Sequence, residues 1–198
     1  MKILGLTGSI AMGKSTTASL FRSLGVPVHD ADKAVHALMG PGGAATPLID
    51  HAFPGVVDQG TVNRKKLGVL AFANPAVLDR LETILHPMVH AMERAFLNSE
   101  RRNGRSLVVL DIPLLFETGG HTRCDAVAVV TAPAFLQKQR ASARGLTNER
   151  LAQVLARQMP DAEKRRRADV LIQTGLGKAH ALRTCRNIVT LMTSKPGV

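Results

Sequence analysis

Apolar residues fall in short unbroken runs toward both ends of the chain and at helical spacing through its middle. Ile3 to Thr7, Leu107 to Leu110 and Ala126 to Thr131 are continuous runs of strand length, with shorter ones at Val26-Pro27-Val28 and Val170-Leu171-Ile172. Such runs predict strands buried on both faces, as in a parallel sheet covered by helices. Ser15 to Leu24 places Ala18, Leu20, Phe21 and Leu24 at roughly helical spacing, and Gly25 stops that helix. Strand, helix and strand in this order predict a parallel pair with a right-handed crossover, the second strand ending at His29-Asp30.

From Ala31 to Arg105 the signals are mostly helical. Ala31 to Met39 reads as a helix and Gly40-Pro41-Gly42-Gly43 as a turn. Asn74-Pro75 is a helix start, with Asn as cap and Pro in the first position. His86-Pro87 is expected to interrupt the pattern. Beyond it Met88, Val89, Met92 and Phe96 form an apolar stripe that reads as packing. Ala134 to Arg167 is helical and basic, and Gly177 to Met192 reads as a closing helix before a frayed tail from Ser194 to Val198. The sum predicts a doubly wound α/β core with helical insertions. Ligands of such sheets bind beyond the carboxyl ends of the strands, where Gly8, Asp30, Asp111 and Thr131 fall.

Composition narrows the function. The 198 residues are 45% hydrophobic, enough for a real core, but the only aromatics are six Phe, so that core is aliphatic. A net charge of +11 points to anionic partners such as nucleotides and phosphates. The lack of Trp and Tyr weighs against a stacking platform for single-stranded nucleic acid, and Arg165-Arg166-Arg167 reads as solvated surface. Cys124 and Cys185 are too few for a disulfide framework or a zinc site, and no His pair has metal-ligand spacing. The apolar stretch at Met1 to Leu6 is too short for a signal-peptide core, and no run approaches a membrane span, so a cytoplasmic protein is expected.

Gly8-Ser9-Ile10-Ala11-Met12-Gly13-Lys14-Ser15 fits the phosphate-loop pattern G-x-x-x-x-G-K-S/T, in the required setting of strand before and helix after. Gly8 and Gly13 let the backbone turn its amides onto phosphate oxygens, and the helix adds its positive end. Lys14 is expected to reach the β- and γ-phosphates of ATP, and Ser15 to ligate Mg²⁺. Asp111, closing its strand, is placed to hold the same metal, or else to bond locally. Asp30 and Asp32 follow the second strand. Asp30 reads as a helix cap, and Asp32 as a carboxylate able to take a proton from an acceptor hydroxyl. Arg140 and Arg144, four apart, are expected on one helix face, with Arg140 the candidate for charge on a transferring phosphoryl group.

Together the strings resemble the dephospho-coenzyme A kinase family over nearly the whole chain. The resemblance rests on Gly5 through Thr16, on Asp30-Ala31-Asp32, on Asp111-Ile112-Pro113-Leu114-Leu115-Phe116-Glu117, and on Gln158 through Lys164 to Ala168-Asp169, with Leu85-His86-Pro87 as a further element. It implies ATP-dependent phosphorylation of the ribose 3′-hydroxyl of dephospho-coenzyme A. It also implies an α/β three-layer P-loop kinase core with a parallel sheet (1–30, 105–134, 168–198), a helical acceptor-binding insertion (31–104) and a helical lid (135–167). By this resemblance Asp32 is the base, Lys14 and Arg140 steady the phosphoryl group, and Gly8, Ala11 to Thr16 and Arg140 bind ATP. His86, Leu114 and Glu117 then lie near the acceptor. ATP and dephospho-coenzyme A are the expected partners, with no nucleic acid or membrane and a monomer as the default. The chain departs from the family at Ser9, Ala11 and Met12, where the loop is often richer in glycine, and at Gln173-Thr174-Gly175, where Asp-Asn is more usual. A different small P-loop kinase and a basic nucleotide-binding regulator remain as alternatives.

Overall fold

The computed structural model describes residues 1–194, so the fraying expected of residues 195–198 lies outside the described residues. In chain order the elements are β1 (Lys2–Thr7), α1 (Lys14–Ser23), β2 (Val28–Asp30), α2 (Ala31–Met39), α3 (Thr46–Ala52), β3 (Val57–Asp58), β4 (Thr61–Val62), α4 (Arg64–Ala73) and α5 (Pro75–Arg102). They continue with β5 (Leu107–Asp111), β6 (Ala126–Thr131), α6 (Ala134–Ser142), α7 (Asn148–Ala156), α8 (Asp161–Arg167), β7 (Val170–Gln173) and α9 (Lys178–Thr193). Two compact units divide the chain: residues 1–29 with 99 onward, and Asp30–Asn98.

The first unit is built on a five-stranded sheet in the order β2-β5-β1-β6-β7. β1 pairs in parallel with β5 and β6, and β6 with β7, so Thr7, Asp111, Thr131 and Gln173 end their strands at one edge. Every residue of β5 is buried, as its unbroken apolar run requires. Leu4, Leu6, Phe21, Val109, Val130, Ile172, Cys185 and Ile188 form the main core between sheet, α1 and α9. Each fully buried aliphatic side chain of this kind contributes about 1.5–3 kcal/mol. On the other face Leu115, Phe116, Val127 and Val129 pack together.

In the second unit, Leu38, Ile49, Phe53, Val56, Val62, Leu67 and Leu85 make a separate core, with Leu81, Met88, Val89 and Met92 of α5 against it. α2 begins as expected, with the Asp30 carboxylate accepting the Lys33 N–H at 3.1 Å. Asn74 caps the start of α5 by accepting the Ala76 N–H at 3.0 Å. No helix among the described residues is long and apolar enough to cross a membrane.

The structure corrects five expectations. β1 and β2 are not neighbours, because the fully buried β5 takes the place between them. The second strand starts at Val28 rather than Val26, since Pro27 has no N–H to give a ladder. His86-Pro87 does not interrupt α5, which runs on for 28 residues with Pro87 inside it. The apolar stripe on both sides of Pro87 packs against one core, through buried Leu85 and half-buried Leu81, Met88, Val89 and Met92, and that packing outweighs the lost backbone bond. A small antiparallel hairpin, β3 with β4, stands in the segment expected to be helical, turning through Gln59 (φ 49°) and Gly60 (φ 75°). Finally, α6 ends at Ser142, so Arg144 is exposed beyond the helix and does not share a helical face with Arg140.

Candidate active site

The phosphate loop starts where β1 ends. Gly8 lies so close to β6 that an added Cβ would sit 2.6 Å from the Val130 carbonyl oxygen, which no side chain tolerates. Gly13 precedes α1 with φ 102°, and no side chain among the described residues caps this helix. The first N–H groups of a helix have no partner within it, so Lys14, Ser15 and Thr16 present backbone donors at the positive end of α1. Ala11 is the loop's exception, a non-glycine residue with φ 62°. The Ser9 side chain is buried, and its hydroxyl has no hydrogen-bond partner among the described residues.

Two charged side chains meet at the carboxyl edge of the sheet. Lys14 Nζ lies 2.6 Å from Asp111 Oδ1, with the side chains 13% and 2% exposed. The pair puts the loop lysine and the strand-end carboxylate together, so Asp111 is more than a local backbone acceptor. Arg140 on α6 is turned to the same loop. Its Nη1 donates to the Met12 carbonyl at 3.3 Å and to Thr174 Oγ1 at 2.9 Å, and its Nη2 donates to the Thr174 carbonyl at 3.1 Å. Thr174 Oγ1 in turn donates to the Met12 carbonyl at 2.6 Å. The Gln173-Thr174-Gly175 departure therefore places a hydroxyl against the loop.

The string from Asp111 to Glu117 divides its residues sharply. Leu115 and Phe116 are buried, whereas Leu114 is 38% exposed. Thr7 Oγ1 donates to the Pro113 carbonyl at 2.9 Å. Glu117 accepts the Met159 N–H at 2.8 Å and pairs with Lys164 at 2.9 Å. Burial pushes the Glu117 carboxyl up, but the Lys164 and Met159 hydrogen bonds outweigh it and hold the group below its ordinary value.

Lys164 is the residue that sequence reasoning missed. It falls in the basic helical stretch from Ala134 to Arg167 and carries no assigned role there, yet it is 0% exposed and also donates to the Pro113 carbonyl at 3.3 Å. Its neighbours Arg166 and Arg167 do lie at the surface, paired with Glu163. The available signal was its place in the string from Gln158 to Asp169, whose ends are also employed. Gln158 accepts the Ile10 N–H, and Asp169 accepts the Val127 N–H at 2.7 Å.

The remaining candidates belong to the second unit. Asp32 stands in the first turn of α2, exposed, and leaves the capping to Asp30. One turn on, His36 Nε2 contacts Arg64 Nη1 at 2.5 Å. His86 is exposed on α5, its ring 6.4 Å from that of His90.

The sequence profile of the dephospho-CoA kinase family matches residues 2–178. The chain belongs to the dephospho-CoA kinase family. A dephospho-CoA kinase of Paramagnetospirillum magneticum is 63% identical over 166 residues, 83% of this chain and 78% of that one. Another, of Rhodospirillum rubrum, is 53% identical over 97% of this chain and 92% of its own length. Among solved structures, a Thermus thermophilus protein is 35% identical with a TM-score of 0.84, and a dephospho-CoA kinase from Campylobacter jejuni is 26% identical with a TM-score of 0.72. Each covers 98% of this chain and is itself covered over 98%. Membership makes the protein a phosphotransferase, and the dephospho-CoA kinase fold accounts for the α/β architecture with its parallel sheet.

Proposed function

We propose that the protein transfers the γ-phosphoryl group of ATP to the ribose 3′-hydroxyl of dephospho-coenzyme A, giving coenzyme A and ADP in the last step of coenzyme A biosynthesis. Family membership carries the reaction, and the Lys14–Asp111 pairing at the phosphate loop is the observation that supports its chemistry here. Gly8 and the amides from Ala11 to Thr16 cradle the phosphates. Lys14 and Arg140 bring positive charge to the oxygens that gain negative charge as the phosphoryl group moves. Asp32 accepts the proton of the attacking 3′-hydroxyl. His86, Leu114 and Glu117 serve the acceptor side, Leu114 by its exposed side chain and Glu117 through its hold on Lys164. Residues 31–104 act as the acceptor domain and 135–167 as the lid, and the enzyme works in the cytoplasm as a monomer.

The Ser15 hydroxyl and the Asp111 carboxylate are an oxygen donor set suited to Mg²⁺, which takes few protein ligands and fills its shell with water and phosphate. When bound, the ion would neutralise phosphate charge.

An acceptor panel read by ADP release tests the assignment. Turnover is expected with dephospho-coenzyme A and not with AMP, UMP or shikimate; the opposite pattern ends it. In the same assay, Lys14→Ala and Asp32→Asn are expected to lower kcat sharply with melting temperature retained, and Arg140→Ala to cost roughly 10³-fold or more. An unchanged kcat in any of these variants removes that residue from its role.

A further inference from the structure

The phosphate loop of this chain is held from outside by a pair of amides of opposite polarity. Gln137, 7% exposed on α6, donates from Nε2 to the Ile10 carbonyl at 2.9 Å. Gln158, just beyond α7, accepts the Ile10 N–H on Oε1 at 3.1 Å. The backbone partners fix both orientations, because a carbonyl only accepts and an N–H only donates. Beside this clamp, Ala11 packs against Ala141 and Leu151, with Ile10, Leu146 and Leu155 around them.

The loop needs such support. Residues 9 to 12 contain no glycine, and Ala11 adopts a left-handed φ of 62° that a Cβ disfavours. A non-glycine residue keeps that conformation only where its surroundings impose it. We infer that Gln137 and Gln158 are positioning residues for nucleotide binding: by holding both backbone groups of Ile10 they impose the turn at Ala11, and so aim the amides that follow at the phosphates. They touch neither phosphate nor acceptor in this scheme, and act through the loop. The inference rests on the reading that this loop receives ATP.

The polarity supplies a test that packing alone does not pass. Glutamate keeps the size of glutamine but offers only acceptors at neutral pH. Gln158→Glu retains the acceptor facing the Ile10 N–H, whereas Gln137→Glu sets a carboxylate against the Ile10 carbonyl. ATP affinity is measured by titration calorimetry at pH 8, with the KM values for ATP and dephospho-coenzyme A alongside. Gln137→Glu and Gln158→Leu are expected to weaken ATP binding about tenfold or more, and Gln158→Glu less than about threefold. The KM for dephospho-coenzyme A is expected to stay within about twofold. If Gln137→Glu does not fold, Gln137→Met removes the donor without adding charge, and the same loss is expected. Equal effects of the two glutamate substitutions, or an unchanged ATP affinity in Gln158→Leu, overturn the inference. Lys14→Ala is measured in parallel. Should it also leave ATP affinity unchanged, the loop reading itself falls; should it weaken binding while the glutamine variants do not, the clamp alone is wrong.

Discussion

At φ 62°, Ala11 carries a left-handed backbone on a residue with a Cβ, at a cost of about 1–2 kcal/mol, yet its methyl group is buried among Ala141 and Leu151. Glycine would relieve the strain. It would also lose about 0.8 kcal/mol of buried methyl and about 0.4–1 kcal/mol through a freer unfolded chain. The terms nearly cancel, so Ala11→Gly is expected to shift stability by less than about 1 kcal/mol, as a denaturant titration reads it. Ala11→Val places a β-branched residue in a region it hardly enters, and is expected to abolish retention of ATP in an equilibrium binding assay. The need for an unusual backbone here was legible in the sequence, from an alanine where the family loop is often glycine. What holds it was not, because Gln137 and Gln158 lie more than a hundred residues away and nothing local marks either as a partner of Ile10.

Among elements, the segment from Pro113 to Glu117 and α8 are joined by an ion pair between a buried lysine and a partly exposed carboxylate, which behaves as a pH-dependent fastening. The Glu117 carboxyl is depressed from its ordinary value of 4.5, so the stability it contributes is fully present above that pH and is lost as pH falls through its lower folded value. Because solvent screens the partly exposed carboxylate, Glu117→Gln is expected to cost about 1 kcal/mol at pH 7. The gap in melting temperature between wild type and variant is expected to narrow only below about pH 4.5; a gap independent of pH would mean that the pair contributes no linked stability. The strands and most helices could be read directly, since unbroken apolar runs and caps such as Asp30 and Asn74 are local signals. Pro87 inside α5 and the hairpin at Gln59-Gly60 could not, because packing against Leu38, Ile49 and Phe53 decides the first and two-residue strands carry too little pattern for the second. Lys164 escaped for a similar reason: its burial depends on Glu117 and Pro113, far off in sequence.

Each compact unit has a main apolar core of its own, and the first carries a further cluster on the other face of its sheet. Cys185 belongs to the first, 0% exposed, and burial pushes its thiol up to about 11. At pH 8 only about one such thiol in a thousand is ionised, and the thiolate is the reactive form. Alkylation of Cys185 is therefore expected to track unfolding of the unit that contains α9, with the half-buried Cys124 reacting earlier; mass spectrometry along a denaturant series checks this. Reaction of Cys185 under native conditions, as fast as that of Cys124, would show that this core opens locally.

The bond between Lys14 and Asp111 gives the loop's ammonium a carboxylate partner within the protein. An incoming anion must win that cation from a carboxylate, so arrival is an exchange of counter-ions and not a simple addition. Neutralising the competitor with Asp111→Asn should then tighten the grip on inorganic phosphate several-fold in the absence of divalent metal, even as it slows turnover. Weaker phosphate retention in that variant would show that the carboxylate assists the lysine in capturing anions.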